Sequence, residues 1–447
     1  MNKTIGIWGL GVVGQSAVRF FARRQWHIQV MDAKQPTPEQ HALLQSCNAT
    51  FIAQSDDNRT IFLSSNAYVL ASPGIDISSY MNFPCTFITE ADLFGKSCNV
   101  PIVAITGSVG KTTITHLLTT LLQASGKKPF MGGNIGTGML DMIDMQEQYE
   151  SAVIEISSFQ LEWGKRFAPD LAIITNIYPN HLDRHGTLEQ YQRAKLNILA
   201  YQITGQQALV PWNLRSLVPQ TDAFKNYFSV TPPSENDLAS LTDREALFYF
   251  TQTHIIHYRN GIHNQLIERA ALPTISFDVN WLLLCAALTI LRVPLTIITQ
   301  HQSISVPEHR LELVTTRDGV TFYNDSKSTV PDSTLAAINQ LQHQNIILLL
   351  GGVSKGVSRE SLIQALPERV TEIYCFGKEA EQLQQWCTKY HKIAYSFATL
   401  ENTIDELQKK LAPGQCVLFS PAGTSYDLFT DYQQRGAAFK NMIMSYR

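Results

Sequence analysis

Apolar residues in this chain gather in short unbroken runs separated by glycine-rich or polar turns and by stretches of helical period. Residues 4–8 predict a buried strand, Gly9 to Gly14 a turn, Gln15 to Arg24 a helix and Ile28 to Met31 a second strand, which together make one βαβ unit. The same rhythm returns at Ile102–Thr106, Ala152–Ile156, Leu171–Thr175, Ile346–Leu350, Glu372–Phe376 and Cys416–Ser420. Continuous rather than alternating apolarity points to parallel sheets covered on both faces. Residues 226–258 read as β-rich, and Arg259-Asn260-Gly261-Ile262 supplies an Asn-Gly hairpin turn before an apolar helix that starts near Asn280. The expected fold is therefore α/β with three sequential domains: a Rossmann-like domain over residues 1–93, a central phosphate-loop domain over 94–298 and a second Rossmann-like domain over 299–447. The first boundary is placed near Asp92 to Ser97 and the second in a linker from Arg292 to Val306.

Composition narrows the class. A length of 447 residues fits about three domains. With 44% hydrophobic and only 16% charged residues, long disordered or charged tails are excluded. A net charge of −3 gives no broad basic field for nucleic acid or an anionic membrane. Seven scattered cysteines without a CxxC pair argue against a disulfide framework or a zinc site and fit a reducing cytoplasm. The longest apolar run, Trp281 to Leu291, is too short for a bilayer. The expectation is a cytoplasmic monomer whose partners are small molecules, without nucleic acid or an integral membrane segment.

The chemistry begins at Thr106-Gly107-Ser108-Val109-Gly110-Lys111-Thr112-Thr113, between an apolar strand and the helical run Ile114 to Ala124. Backbone amides of such a loop cradle phosphate oxygens, the lysine reaches the β/γ-phosphates and the threonine hydroxyl ligates Mg2+. The first glycine of the standard pattern falls on Ile105, so this loop is a shortened variant. Glu155 closes a buried strand, where an ionised carboxylate is costly without a cation or hydrogen bonds, and a carboxylate there is the expected magnesium partner. His181 follows another strand in a loop too polar for a core. Leu188, Tyr191, Lys195 and Ile198 share one helical face, which puts a lysine where an apolar residue belongs. An ammonium beside Mg2+ is repelled by about 4 kcal/mol at 4 Å and an effective dielectric of 20. Carbamylation by CO2 would reverse that charge; a lysine that only snorkels its head to water is the competing reading.

At the N-terminus, Gly9-Leu10-Gly11-Val12-Val13-Gly14 matches GxGxxG after a strand, and Asp32 ends the next strand 18 residues beyond Gly14. A dinucleotide and a UDP-linked substrate both offer a pyrophosphate and a ribose, so the motif leaves a dehydrogenase and a UDP-binding enzyme open. A nicotinamide site would, however, leave the separate ATP loop without a role.

Taken together, the loop from Thr106, Gly133-Asn134-Ile135-Gly136, Glu155 to Leu161, Asn176 to Asp183, Glu308-His309-Arg310, Asn324 to Thr329, Leu350 to Lys355 and Ser420 to Asp427 resemble the Mur ligases, ATP-dependent amide-bond synthetases. The resemblance covers essentially the whole chain. It implies addition of D-glutamate to UDP-N-acetylmuramoyl-L-alanine through an acyl phosphate, releasing ADP and phosphate. Gly11, Val12, Val13, Asp32 and Ser72-Pro73-Gly74 then line the UDP pocket, with Asn134 and His181 at the sugar-peptide end. Gly107, Ser108, Val109, Gly110, Lys111, Thr112, Thr113, Asn280, Arg310 and Asp325 hold ATP. Lys327, Thr329, Lys355, Ser425 and Tyr432 receive D-glutamate. Thr112, Glu155, His181 and Lys195, the last carbamylated, hold two Mg2+ ions, and Lys111, Glu155, His181 and Lys195 are the catalytic set. Because the reactants would then come from three domains, closure of the C-terminal domain over ATP is expected, hinged near residues 292–306.

The chain departs from the family's pattern in four places. Ser276-Phe277-Asp278-Val279-Asn280 retains one of a usual asparagine pair, with Phe277 replacing the other; Asn180 stands for an acid, Tyr432 for a phenylalanine, and Ala33-Lys34 matches the UDP loop weakly. Related readings are an L-alanine-adding ligase and a folylpolyglutamate synthase. A non-catalytic nucleotide-binding regulator would need the loop but not the metal and glutamate residues together.

Overall fold

A computed structural model describes residues 3–273, 276, 278–300, 308–341, 343–354, 356 and 358–445, without the side chains of Asp183 and Gln340. Three sheets follow one another along the chain. The first orders its strands Ala49–Ala53, His27–Asp32, Thr4–Trp8, Tyr68–Ala71 and Thr86–Ile88, all parallel. Strand order reverses beside Thr4–Trp8, so the Gly9 turn and the Ser72-Pro73-Gly74 turn leave adjacent strand ends, where open α/β sheets bind ligands. The helix after the glycine turn runs Val12–Arg23, three residues earlier than the Gln15 start expected from the pattern. Gly14 therefore lies within its first turn, where a Cβ would stand 1.9 Å from the Gly9 carbonyl oxygen.

In the second sheet, seven parallel strands run in the order Glu245–Phe250, Phe224–Ser229, Gln207–Pro211, Leu171–Ile174, Ile102–Thr106, Ser151–Glu155 and Pro129–Gly133. An antiparallel hairpin, His254–Arg259 with Ile262–Glu268, extends one edge. Its turn holds Asn260 and Gly261 at φ 49° and 80°, the left-handed pair that an Asn-Gly turn supplies at low cost. On one face, helices Lys111–Ala124 and Asp278–Ile290 pack through Leu117, Leu121, Trp281 and Leu284. On the other, one apolar cluster joins the first sheet's layer to the second, through Phe20, Phe94, Leu140, Ile154 and Leu161.

That shared core places the first two sheets in one compact unit, Met1–Ile177 with Gln192–Ile304; the second unit is Tyr178–Tyr191 with Ser305–Arg447. The segment at which the first boundary is expected folds as helix Glu90–Ser97, held against helix Met139–Ile143. Arg19 donates two 2.7 Å hydrogen bonds to Asp141 across the same seam, and Arg23 and Arg24 pair with Asp144. The expected exit linker contains helix Thr296–Gln300, which buries Ile298; its part from 301 to 306 lies outside the described residues.

The third sheet orders Glu312–Arg317, Val320–Asn324, Cys416–Phe419, Ile346–Gly351, Val370–Phe376 and Ala394–Phe397, with only the first pair antiparallel. Among the described residues, no helix is long and apolar enough to cross a membrane.

Candidate active site

The phosphate loop is shaped by its neighbours as much as by its own glycines. Ile105 is fully buried in the strand, in register with Glu155 and Ile173, so the loop starts only after Thr106. Gly107 turns at φ 150°, with a Cβ position 1.9 Å from the Thr175 hydroxyl, and Gly110 turns at φ 86° to start the helix at Lys111. Thr175 Oγ1 and Asn176 Nδ2 donate to the Val109 carbonyl at 2.6 and 3.1 Å, while Asn176 Oδ1 accepts from the Val109 N–H at 2.9 Å. The sequence pattern assigned no role to Thr175, whose only signal is its place at the end of the adjacent strand. Asn280 is buried beside the loop, its Oδ1 3.7 Å from the Gly110 Cβ position and its Nδ2 donating to Ser276 at 2.9 Å.

Two lysines converge on one acceptor: Lys111 Nζ and Lys195 Nζ each donate to the Gly107 carbonyl at 2.8 Å. Lys195 comes from helix Leu188–Leu196 and is 1% exposed, so the expected inward face is real. Burial pushes its pKa well below the usual lysine range and repulsion from Lys111 adds to that, while Glu155 opposes it. Glu155 is buried; its Oε1 accepts from Asn134 Nδ2 at 2.8 Å, and its Oε2 has no hydrogen-bond partner. A buried, unsatisfied carboxylate oxygen beside a phosphate loop suits a divalent cation. Among the described residues no group of three His, Cys, Asp or Glu side chains could hold a metal. Thr112 and Thr113 open the helix, with Thr113 buried.

The N-terminal turn separates steric needs from ligand needs. Gly9 (φ 94°) and Gly14 admit no Cβ, whereas a Cβ on Gly11 or Gly74 would meet nothing within 4 Å, as suits backbone open to a close-lying ligand. Asp32 accepts from the Leu10 and Lys34 N–H groups at 2.6 and 2.8 Å, which fixes the turn itself. Ser72 ties the neighbouring turn in by donating its N–H to Trp8 O at 2.8 Å and its hydroxyl to Gly9 O at 3.2 Å. Val12 is exposed, and Val13 packs against the core.

The second unit assembles its own constellation. His181 adopts φ 54° just before helix Leu182–His185, and the preceding Asn180 is buried with an unpartnered side-chain oxygen. Asp325 accepts from the Ser328 and Ser420 hydroxyls and the Leu311 N–H at 2.5, 2.8 and 3.1 Å. Burial raises its carboxyl to about 6 against the pull of nearby Arg310 and these donors. His309 and Leu311, on either side of Arg310, both take positive φ, 62° and 48°. Such backbone costs on the order of 1–3 kcal/mol per residue. Lys327 Nζ lies 5.3 Å from the centroid of the Tyr432 ring, against which His309 packs edge-on. Thr329 is half-buried and Ser425 is buried on the loop after Cys416–Phe419. Phe277 and Lys355 lie outside the described residues.

Two buried arginines escaped the sequence reading, because no motif or local period marks them. Arg435 donates to Ser326 O at 2.7 Å and Gly423 O at 3.0 Å, while Arg359 donates to Gly351 O at 2.8 Å and Gly352 O at 3.1 Å and pairs with Glu379. They fasten from beneath the three loops that carry Lys327, Ser354 and Ser425.

Family models for the Mur ligase MurD-like N-terminal domain, the Mur ligase middle domain and the Mur ligase glutamate ligase domain match residues 3–81, 105–261 and 309–423. A UDP-N-acetylmuramoylalanine–D-glutamate ligase of Pseudoalteromonas translucida is 31% identical over 467 residues, covering 99% of this chain and 98% of the relative. The chain belongs to the Mur ligase family. The ligase of the same name from Haemophilus ducreyi is also 31% identical, over 99% of this chain and 97% of its own length. Among solved Mur-type folds, the pseudomurein peptide ligase type C of Methanothermus fervidus superposes with a TM-score of 0.59 at 13% identity, each chain covered fully. The MurF ligase of Thermotoga maritima in complex with ADP gives 0.57 at 16% identity, covering 99% of this chain and 95% of that one. These two likenesses establish the fold, a three-domain Mur-type α/β architecture.

Proposed function

We infer that the protein is an ATP-dependent ligase that joins D-glutamate to UDP-N-acetylmuramoyl-L-alanine in peptidoglycan precursor synthesis, working as a cytoplasmic monomer. The full-length similarity to ligases of that name supports the substrates, and one observation carries the chemistry: Lys111, Lys195 and Glu155 gather around a single phosphate loop. An oxygen of the acceptor carboxylate attacks the γ-phosphorus of ATP and ADP leaves. The free amine of D-glutamate then attacks the acyl carbon, and phosphate departs as the amide forms. Lys111 and the loop amides stabilise charge on the transferring phosphoryl group, and positioning does most of the rest.

Residue roles follow the same reading. Gly11, Val12, Val13, Asp32 and the Ser72–Gly74 turn hold the UDP portion, with Asn134 and His181 toward the reacting carboxylate. Asn280, Arg310 and Asp325 complete the ATP site, and Lys327, Thr329, Lys355, Ser425 and Tyr432 receive D-glutamate. Thr112, Glu155, His181 and Lys195 would hold Mg2+, two ions in all, which when bound neutralises phosphate charge and lets two anions approach. A Lys195 kept neutral by burial is a nucleophile for CO2: the nitrogen bonds to the carbon and releases a proton, and the carbamate turns a neutral amine into an anionic oxygen ligand. The C-terminal domain closes over ATP. Scattering profiles that coincide with and without nucleotide and substrate would refute that closure.

The deciding assay is phosphate release with UDP-N-acetylmuramoyl-L-alanine or UDP-N-acetylmuramate, each offered D-glutamate, L-glutamate or L-alanine. Turnover is expected only with the first acceptor and D-glutamate. Preference for UDP-N-acetylmuramate with L-alanine would instead assign the L-alanine-adding reaction.

A further inference from the structure

Glu90 has no part in the chemistry above, yet it is buried where three segments meet. Its helix, Glu90–Ser97, follows the first sheet. Its Oε1 accepts from the Met139 N–H at 3.1 Å and its Oε2 from Gln160 Nε2 at 3.4 Å. Met139 starts the helix after the Gly133–Gly136 loop that carries Asn134; Gln160 lies in the turn after Glu155. Those two segments are themselves joined at the site, because Asn134 donates its N–H to Glu155 O and its Nδ2 to Glu155 Oε1, both at 2.8 Å. A cavity of about 20 Å³ is walled by Glu90, Gln160 and the Ser72-Pro73 turn, so the node also abuts the UDP-side turn.

The orientation of Gln160 is forced. Its Oε1 accepts from the Ser157 N–H and hydroxyl, both at 3.0 Å, in a capping box, which leaves only its Nε2 to face Glu90. Residue 90 must therefore present two acceptors, one to each segment, and a glutamine there would set an amide donor against a donor. We propose that Glu90 is a positioning residue for the acceptor substrate: it sets the spacing between the Asn134 loop and the Glu155 turn and ties both to the N-terminal domain. This inference rests on the ligase reading.

The test is a donor–acceptor swap in the full chain. Glu90→Gln sets donor against donor, and Gln160→Glu sets a second carboxyl against Glu90, whose own carboxyl burial raises to about 7, so that pair closes only by trapping a proton. The double variant restores the pairing. Its amide at position 90 can accept from Met139 and donate to the carboxylate now at position 160, which still closes the capping box on Ser157. Each single variant is expected to raise the KM for UDP-N-acetylmuramoyl-L-alanine about tenfold and leave that for D-glutamate within about twofold, with the double variant returning close to the parent. If Glu90→Gln melts below the assay temperature, Gln160→Leu removes one arm alone and carries the same expectation. An unmoved acceptor KM in folded single variants, or a loss that the swap does not restore, overturns the proposal. A parent chain that releases no phosphate with these substrates would instead sink the ligase reading.

Discussion

The surroundings of Lys195 in the first unit and Asp325 in the second treat a buried ionisable group in opposite ways. Both side chains are withdrawn from water, and burial moves each toward its neutral form. Around Asp325 the protein answers with two hydroxyls, a backbone N–H and nearby Arg310, so the carboxylate has partners and serves as a fixed anchor. Around Lys195 the nearest strong influence besides burial is a second lysine directed at the same carbonyl. A site that discourages the ammonium so firmly favours a change of chemical state, whereas one that surrounds a carboxylate with donors favours keeping it.

The most forceful way to break this comparison is Lys195→Ala. If Lys195 holds metal as a carbamate, as proposed, its loss should lower turnover by about 100-fold or more, and short carboxylic acids should restore part of it by standing in for the carbamate. Full activity without rescue agents would remove Lys195 from the proposed metal site. Asp325→Asn should cost less, about tenfold in kcat/KM, through the anchor it withdraws from the Arg310 segment.

Asp325 also carries a pH signature. Its folded pKa, about 6, lies above the ordinary value of 3.8, so the native state holds a proton that the unfolded chain releases earlier. Its contribution is complete below pH 4 and is lost as pH rises to about 6, a swing of about 3 kcal/mol. Wild-type melting midpoints should therefore fall relative to those of Asp325→Asn across that window, and parallel profiles would contradict the burial argument. A subtler probe is Lys111→Met, which relieves the repulsion on Lys195 and raises its pKa. Carbamate formation, followed by ¹³C NMR in labelled bicarbonate, should then need a higher pH; an unchanged midpoint would show that burial alone sets it. The smallest effect belongs to the seam, where Asp141→Asn should destabilise by no more than about 1 kcal/mol in chemical denaturation, because Arg19 keeps a third of its side chain in water.

Local features were legible in the sequence. The strand Ile102–Thr106, the Asn260-Gly261 hairpin and the inward Lys195 each follow from a pattern within a few residues, where period, turn chemistry and burial agree. The helix starts at Val12, ahead of the Gln15 expected because Gly14 has the look of a turn residue, while the constraint on Gly14 is contact with the Gly9 carbonyl across the turn. Glu90, Arg359 and Arg435 were missed for a shared reason. Charged residues read locally belong on the surface, and partners distant in the chain, such as Met139, Glu379 or Ser326, make their burial tolerable. The same limit hides Thr175, whose hydroxyl acts on a loop 66 residues earlier.

The apolar cluster shared by the first two sheets bears on how such enzymes are inherited and rebuilt. Phe20 and Phe94 are completed by Leu140 and Ile154, and the Gly138 Cβ position lies 2.8 Å from Ser16. A chimaera that exchanges the N-terminal domain at Ser97 with a relative would cut through this core and expose it. One that carries residues 138–144 along with the N-terminal segment keeps Leu140 and the Arg19–Asp141 pair but still parts Phe94 from Ile154, so an intact joint requires both layers from one parent.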